Sequence, residues 1–115
     1  MKNGINKVTL VGNVGDAPKF NQFDNKGMVA HFPFATNESY LDKEGKEVKK
    51  TEWHKITVWN KQAEVVKNYV KKGDSLYIEG KIQTSSWEDK EGTKRYSTEV
   101  ICEDFLFLSS KNKNN

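Results

Sequence analysis

Two tryptophans alternate with polar side chains along residues 51–59, a segment whose aromatic and β-branched residues favour a strand. Successive side chains of an extended strand point to opposite faces. One face therefore carries Trp53, Lys55, Thr57 and Trp59. Flat indole rings can stack on nucleobases of any sequence, and an adjacent lysine can hold a phosphate. The same face would suit burial against a second subunit equally well, and the alternation alone favours neither interpretation.

Two further aromatic residues lie beside charged segments. Tyr40 precedes the segment Asp42–Lys50, which contains Gly45 and is predicted to form a hairpin tip. Trp87 precedes a second predicted hairpin, which carries the basic residues Lys90, Lys94 and Arg95. The stacking interpretation therefore rests on four aromatic residues with basic neighbours, and any one of them alone would be a weak signal.

The predicted strand Ser75–Trp87 shows a weaker alternation of the kind seen in residues 51–59. Leu76, Ile78 and Ile82 mark one apolar face, and Gly80 is a candidate position for a β-bulge. If no bulge interrupts the alternation, the opposite face carries Tyr77, Glu79, Lys81, Gln83 and Trp87.

Residues that usually support catalysis or bind metals are scarce. Neither His31 nor His54 has a cysteine or a second histidine at metal-ligand spacing, so no metal site is predicted. His54 shares the core-facing side of its strand with Ile56 and Val58, and we interpret it as a core or interface residue. The single cysteine, Cys102, excludes an internal disulfide and lies in an apolar strand pattern. We predict neither enzymatic activity nor a cofactor.

The composition predicts one small, strand-rich domain. The chain has 115 residues, of which 35% are hydrophobic and 11% aromatic. This apolar content is low, so we expect a thin core, such as a small barrel completed by burial against another subunit. The net charge of +3 excludes a histone-like polycation. With a polar start and no long apolar segment, the chain is expected to be cytoplasmic.

Turn signals divide the chain into five predicted strands and one helix. The helix is predicted from the spacing of Ala63, Val66 and Val70, with Asn60 as its N-cap and Gly73 as the residue after its C-cap. Pro33 requires an edge or a bulge in the second strand. Five strands with a helix between the third and fourth predict an all-β, five-stranded OB-fold Greek-key barrel. The strands are Val8–Val14, Met28–Thr36, Thr51–Trp59, Ser75–Trp87 and Tyr96–Cys102.

Several motifs, in one order and spacing, resemble bacterial single-stranded DNA-binding proteins. The resemblance covers about residues 5–108 and is far more specific than the strand order. The matching segments are Ile5–Pro18, Thr51–His54, Lys72-Gly73, Leu76–Gly80 and Arg95–Val100.

This resemblance implies an OB-fold homotetramer that coats single-stranded DNA during replication, recombination and repair. It implies base stacking on Tyr40, Trp53, Trp59 and Trp87. Phosphate contacts are expected at Lys55 from its place between the tryptophans, and from the resemblance at Lys7, Lys43, Lys49, Lys61, Lys72 and Arg95. Contacts between subunits are expected at His54 and Tyr77.

The sequence departs from the family pattern in two segments. Family members often carry several basic residues before the last tryptophan, whereas Lys81 is the only charged residue in the segment 81–86. Family members also usually continue into a linker with an acidic, apolar tip. Here residues 1–108 are predicted to form the DNA-binding domain and 109–115 a short polar tail. Recruitment of replication and repair proteins through this tail is therefore not expected.

Three other functions remain open on the sequence alone. A primosome-type OB-fold adaptor is one, although retention of all four aromatic residues argues against it. A second is an OB-fold module whose tryptophans are buried in a protein partner. A third is an OB-fold nuclease, which would need a clustered acidic and arginine site, whereas Arg95 is the only arginine of the chain.

Overall fold

The computed structural model describes residues 3–23 and 27–109, which form six strands and one helix. Residues 24–26, and residues 110–115 of the predicted tail, lie outside the described residues. The elements are β1 (Val8–Val14), β2 (Lys19–Phe23), β3 (Gly27–Leu41), β4 (Glu47–Trp59), α1 (Asn60–Tyr69), β5 (Ser75–Glu88) and β6 (Lys94–Ser109).

The strands form one sheet that closes on itself. Its order is β1-β5-β6-β4-β3-β2, and an additional pairing of β1 with β3 closes five strands into a barrel. The pairing of β4 with β6 is parallel, and the other pairings are antiparallel. Helix α1 joins β4 to β5, the third and fourth strands of the barrel. The predicted OB-fold barrel is therefore confirmed, with β2 as an additional strand beside β3.

Barrel closure depends on a close approach between β1 and β3. The two strands pair through Asn13 with Ala35 and Val14 with Phe34. A Cβ atom at Gly12 would lie 2.1 Å from the carbonyl oxygen of Ala35, far inside van der Waals contact. Glycine at this position therefore allows the two backbones to meet.

The barrel encloses one small apolar core. Inward-facing side chains of the strands fill it, and α1 adds Ala63 and Val66 while packing against β3 and β4. This arrangement follows from the alternation of apolar residues along the strands and their spacing along the helix. Among the largest fully buried side chains are Phe34, Ile56, Val58, Leu76 and Ile78.

Both predicted ends of the helix are wrong in detail. Asn60 is the first helical residue, and its positive φ of 58° turns the chain directly from β4 into α1. Asparagine tolerates this left-handed conformation better than most residues. The helix ends at Tyr69, and Gly73 lies in the turn that follows, where its N–H donates to the carbonyl of Val14 at 2.8 Å. Gly73 therefore connects this turn to β1.

Pro33 occupies a gap in the hydrogen bonding along one edge of β3. On that edge, β2 pairs with residues 27–31 of β3, and β1 pairs with Phe34 and Ala35. The carbonyl of Pro33 accepts a hydrogen bond from Gly15 at 2.8 Å. Because proline has no N–H to donate, its place between the two partner strands costs no ladder hydrogen bond. The predicted edge strand or bulge is therefore wrong: β3 has partners on both sides, and Pro33 lies in a local gap between two of them.

The predicted irregularity at Gly80 is confirmed, although the extra residue belongs to the partner strand. The register shifts between Glu79, which pairs with Asp104, and Gly80, which pairs with Cys102. Glu103 is therefore the additional residue, and the alternation of β5 itself continues. A Cβ atom at Gly80 would lie 2.1 Å from the carbonyl oxygen of Ile101, so glycine is required beside the bulge.

Candidate nucleic-acid interface

Strand register brings three of the four predicted stacking residues to one face of the sheet, called the outer face here. Residues paired directly opposite each other share a face. Trp53 and Trp59 pair with Ala35 and Val29 of β3. Thr57 of the same face pairs with Ile101 of β6. By alternation along β6, Arg95 lies on the same face as Ile101, and Arg95 pairs with Trp87 of β5. The outer face of β4, β5 and β6 consists of Trp53, Lys55, Thr57, Trp59, Lys81, Gln83, Ser85, Trp87, Arg95, Ser97, Glu99 and Ile101.

The three tryptophans expose large parts of their indole rings. The exposed fractions are 60% for Trp53, 46% for Trp59 and 51% for Trp87. Large aromatic side chains exposed on one face are costly in water unless a ligand or a partner covers them. The outer face therefore has the aromatic surface that base stacking requires.

Tyr40 is exposed but belongs to the opposite face of the long β3–β4 hairpin. It pairs with Val48 of β4, and the alternation along β4 places Val48 on the face opposite Trp53. Its exposed fraction is 54%. The register therefore separates Tyr40 from the three tryptophans, and its proposed contact with DNA would require the strand to pass around the hairpin.

Two residues outside the predicted strands support the tryptophan rings. Phe23 of β2 stacks with Trp59, with ring centroids 6.1 Å apart and an angle of 25° between the planes. The ring of Trp53 lies over Gly15, where a Cβ atom would be 2.3 Å from the ring atom Cζ3. Neither contact could be predicted from the sequence, because Phe23 belongs to β2, a strand without a clear alternation, and Gly15 meets Trp53 only through the folding of the chain after β1.

Two of the seven predicted phosphate contacts form ion pairs within the protein. Lys7 Nζ lies 2.7 Å from Glu79, and this hydrogen bond and charge raise the pKa of Lys7. Arg95 Nε donates to Asp89 at 3.0 Å. Hydrogen bonds from the Thr93 backbone and from Arg95 lower the pKa of Asp89. Both basic side chains are more than half exposed, so a phosphate could exchange with either carboxylate.

The other five predicted phosphate contacts are exposed but are spread over the surface. Lys55 lies on the outer face between the tryptophans, and Lys49 follows the same alternation farther along β4. Lys43 lies in the tip of the β3–β4 hairpin, Lys61 in the first turn of α1, and Lys72 in the turn after α1. A chain of phosphates would have to cross several elements to reach all of them.

Thr57 is buried, contrary to the expectation that it lies on an exposed face. Only 2% of its surface is accessible. Its hydroxyl donates to the carboxylate of Glu99 and lies 3.2 Å from Nδ1 of His31. The covering side chains come from β3 and β6, which sequence alternation within β4 could not reveal.

An open groove of about 440 Å³ separates the β1–β2 connection from the outer face of β3 and β4. Its lining contains an aromatic ring and several basic groups, which suit a nucleotide. The polar and aromatic residues that line it are Asp16, Lys19, His31, Phe32, Trp53, His54 and Lys55.

The two residues predicted at the subunit interface, His54 and Tyr77, lie on β4 and β5. His54 is half-buried on the face opposite Trp53, with Nε2 3.0 Å from the hydroxyl of Thr36. Tyr77 pairs with Val11 on one side and with Leu106 on the other, and both of these apolar neighbours are exposed.

Cys102 is the one cysteine of the chain, and its side chain is buried. Burial raises the pKa of the Cys102 thiol to about 12, which keeps it protonated near neutral pH. Residues 3–23 and 27–109 contain no group of three metal-ligating side chains. None of the described helices is long and apolar enough to cross a membrane.

The chain is similar to curated bacterial proteins over nearly its whole length. It is 42% identical to "Single-stranded DNA-binding protein 1" of Chlorobaculum tepidum, over 96% of this chain and 69% of that protein. It is 46% identical to the "Single-stranded DNA-binding protein" of Bacteroides thetaiotaomicron, over 96% of this chain and 70% of that protein.

Solved structures share its fold. The SSB of Plasmodium falciparum in complex with ssDNA matches with a TM-score of 0.85 and 30% identity, over 95% of this chain and 99% of the other. A deletion mutant of the single-stranded DNA binding protein from Thermus aquaticus matches with a TM-score of 0.80 and 22% identity, over 94% of this chain and 52% of the other. The model of the single-strand binding protein family matches residues 5–108. The chain belongs to this family of single-strand binding proteins.

Proposed function

We propose that this protein binds single-stranded DNA without sequence preference, stacking bases on Trp53, Trp59 and Trp87. The observation that carries this proposal is the common exposed face of the three tryptophans. Every nucleobase has a π-face, so stacking on indole tolerates any sequence, while Lys55 and Arg95 on the same face suit the phosphates. Tyr40 and the more distant lysines extend the proposed path of the strand. Family membership and the relative solved with ssDNA support the same function.

Binding of labelled oligonucleotides of equal length tests this proposal by fluorescence anisotropy. Oligo-dT and a mixed-sequence strand are expected to bind with similar affinity, and the mixed sequence as a duplex much more weakly, because its bases are already stacked. Equal affinity for the duplex, or binding to only one of the single strands, would contradict the proposal. Failure to bind any strand would instead favour an OB-fold module that recognises a protein.

We also infer that the protein is a homotetramer. One edge of β1 pairs with β5, but within the described residues β3 covers only Asn13 and Val14 of the other edge. A second copy of β1 could pair along the remaining residues, and His54 lies in the shallow groove beside them. A separate exposed apolar patch surrounds Tyr77 and offers a second contact. The patch consists of Val11, Tyr77, Leu106 and Leu108.

Light scattering measures this association directly. The expected mass is four times the 13.2 kDa of the chain. Leu106→Glu should lower the mass by placing a charge in the patch, whereas Tyr69→Glu on the exposed surface of α1 should not. A monomer at micromolar concentration would contradict the inference.

The proposed cellular role follows from binding and protection of exposed single strands. We assign the protein to DNA replication, recombination and repair in the bacterial cytoplasm, in association with the nucleoid. We propose that it has no catalytic activity. A test for acid-soluble nucleotides released from bound DNA should find none above the level of a protein-free control.

A further inference from the structure

The hydrogen bonds around Thr57 determine which nitrogen of His31 carries a proton. Thr57 has one hydroxyl proton, which it donates to the carboxylate of Glu99. Its oxygen must therefore accept the hydrogen bond from His31, so that Nδ1 of the imidazole is the donor. In the neutral ring Nε2 then has a free lone pair and can take up a proton.

His31 lies in the groove beside groups suited to a nucleotide. It pairs with Lys19 of β2, and the same groove contains the ring of Trp53 and the ammonium group of Lys55. The charged and titratable groups of neighbouring elements that line this groove or bond to Thr57 are Asp16, Lys19, His54, Lys55 and Glu99.

The free protein favours the neutral imidazole near pH 7. Burial and the positive charge of Lys55 lower the pKa of His31 below its ordinary value, and the carboxylate of Glu99 opposes them only in part. A phosphate in the groove would reverse this balance, because its negative charge favours the imidazolium form and Nε2–H can donate to a phosphate oxygen.

We propose that His31 is a proton-linked contact to the bound strand, with Nε2 taking up a proton as a phosphate enters the groove between Lys19 and Lys55. This inference rests on the proposed function and adds a contact that titrates. The sign follows from linkage: binding raises the pKa of His31, so affinity increases as pH falls through the interval between the bound and free pKa values. A difference of one unit between them corresponds to about a tenfold increase in affinity across that interval.

The first test measures the affinity for oligo-dT between about pH 5 and pH 8 at constant ionic strength, where thymine itself does not titrate. The wild-type protein should bind several-fold more tightly at the acidic end. His31→Gln, which keeps hydrogen-bonding capacity but cannot become charged, should lose most of this dependence. Since the variant retains His54, an unchanged pH dependence in His31→Gln would overturn the proposal.

The second test uses the wild-type protein alone and does not depend on a variant that folds. Nuclear magnetic resonance of the imidazole signals gives the pKa of His31 with and without oligo-dT. An increase on binding supports the proposal, and an unchanged or lower value overturns it. If oligo-dT does not bind at any pH, the proposed function fails as well. Normal binding with no change in the pKa of His31 rejects this inference alone.

Discussion

At the scale of single residues, Trp53 is both exposed and held in position. Its ring lies over Gly15, which leaves no room for a side chain, while its other surface is accessible. A base stacked on an aromatic ring contributes about 1–3 kcal/mol, so Trp53→Ala should weaken binding to oligo-dT by about 5- to 150-fold. Anisotropy measures the loss. Tyr69→Ala, which removes an exposed ring on α1, is the matched control and should bind normally.

Circular dichroism should show that Trp53→Ala keeps the fold, and light scattering should show that it keeps the oligomeric state of the wild-type protein. Affinity equal to that of the wild-type protein would remove Trp53 from the binding surface. An equal loss in Tyr69→Ala would show that the effect is not specific to the outer face.

The sequence predicted the outer-face tryptophans but missed the side chains around them. Alternation along one strand sufficed for Trp53 and Trp59, because it depends only on neighbouring residues. The burial of Thr57 depends on His31 and Glu99, which are 26 and 42 residues away in the chain. Contacts of this kind follow from strand pairing, and one sequence does not specify that pairing.

At the scale of elements, the two long hairpins end in the same sequence, Asp-Lys-Glu-Gly. In each tip one aspartate oxygen, of Asp42 or Asp89, accepts two backbone hydrogen bonds. Only Asp89 also pairs with an arginine, Arg95. Asp89→Asn keeps an acceptor for the turn and releases Arg95, so it should strengthen DNA binding by less than about tenfold, because the ion pair is exposed.

Asp42→Asn is the matched control for this variant, because it removes the same charge from an equivalent turn that lacks the arginine. Salt titrations of both variants separate the effects: Asp89→Asn should steepen the slope of log K against log salt by up to about 0.7, the value for one phosphate. Equal behaviour of the two variants would show that Arg95 does not contact the strand.

The face of β5 on which DNA lies can be tested in the same hairpin. Ser85 shares the outer face with Trp87, whereas Ser86 pairs with Tyr96 on the opposite face. Ser85→Arg should add one phosphate contact and steepen the salt slope by about 0.7, and Ser86→Arg should change it less. A larger effect of Ser86→Arg would mean that the strand follows the other face and that Trp87 does not stack.

Strands were predicted correctly where apolar and polar residues alternate over many positions. Short or irregular segments were missed or misplaced. The five barrel strands were all predicted, although β3, β4, β5 and β6 extend beyond their predicted ends, β5 by only one residue. β2 was missed because its five residues contain only two apolar side chains, Phe20 and Phe23. The spacing along the helix predicts Gly73 at the helix end. Its actual role, a hydrogen bond to Val14, forms only in the folded barrel and leaves no local signal in the sequence.

At the scale of the whole molecule, the closed barrel depends on the contact between β1 and β3. Gly12→Ala would place a methyl group 2.1 Å from a backbone oxygen that belongs to the closing strand. We expect a loss of about 1–3 kcal/mol in the free energy of unfolding, measured in urea at a fixed protein concentration. Gly4→Ala is the control, because nothing lies within 4 Å of its added methyl group. Similar stability of the two variants would contradict this account of closure.

The central claim is that bases of single-stranded DNA stack on the outer-face tryptophans, and the intrinsic fluorescence of these residues reports it most directly. We predict that titrating the intact protein with oligo-dT strongly quenches tryptophan emission and that the quenching saturates together with binding measured by anisotropy. Because stacking is less sensitive to salt than phosphate contact, the quenching per bound strand should persist as salt increases. Binding detected by anisotropy without quenching would contradict the account, since the strand would then bind without covering the tryptophans.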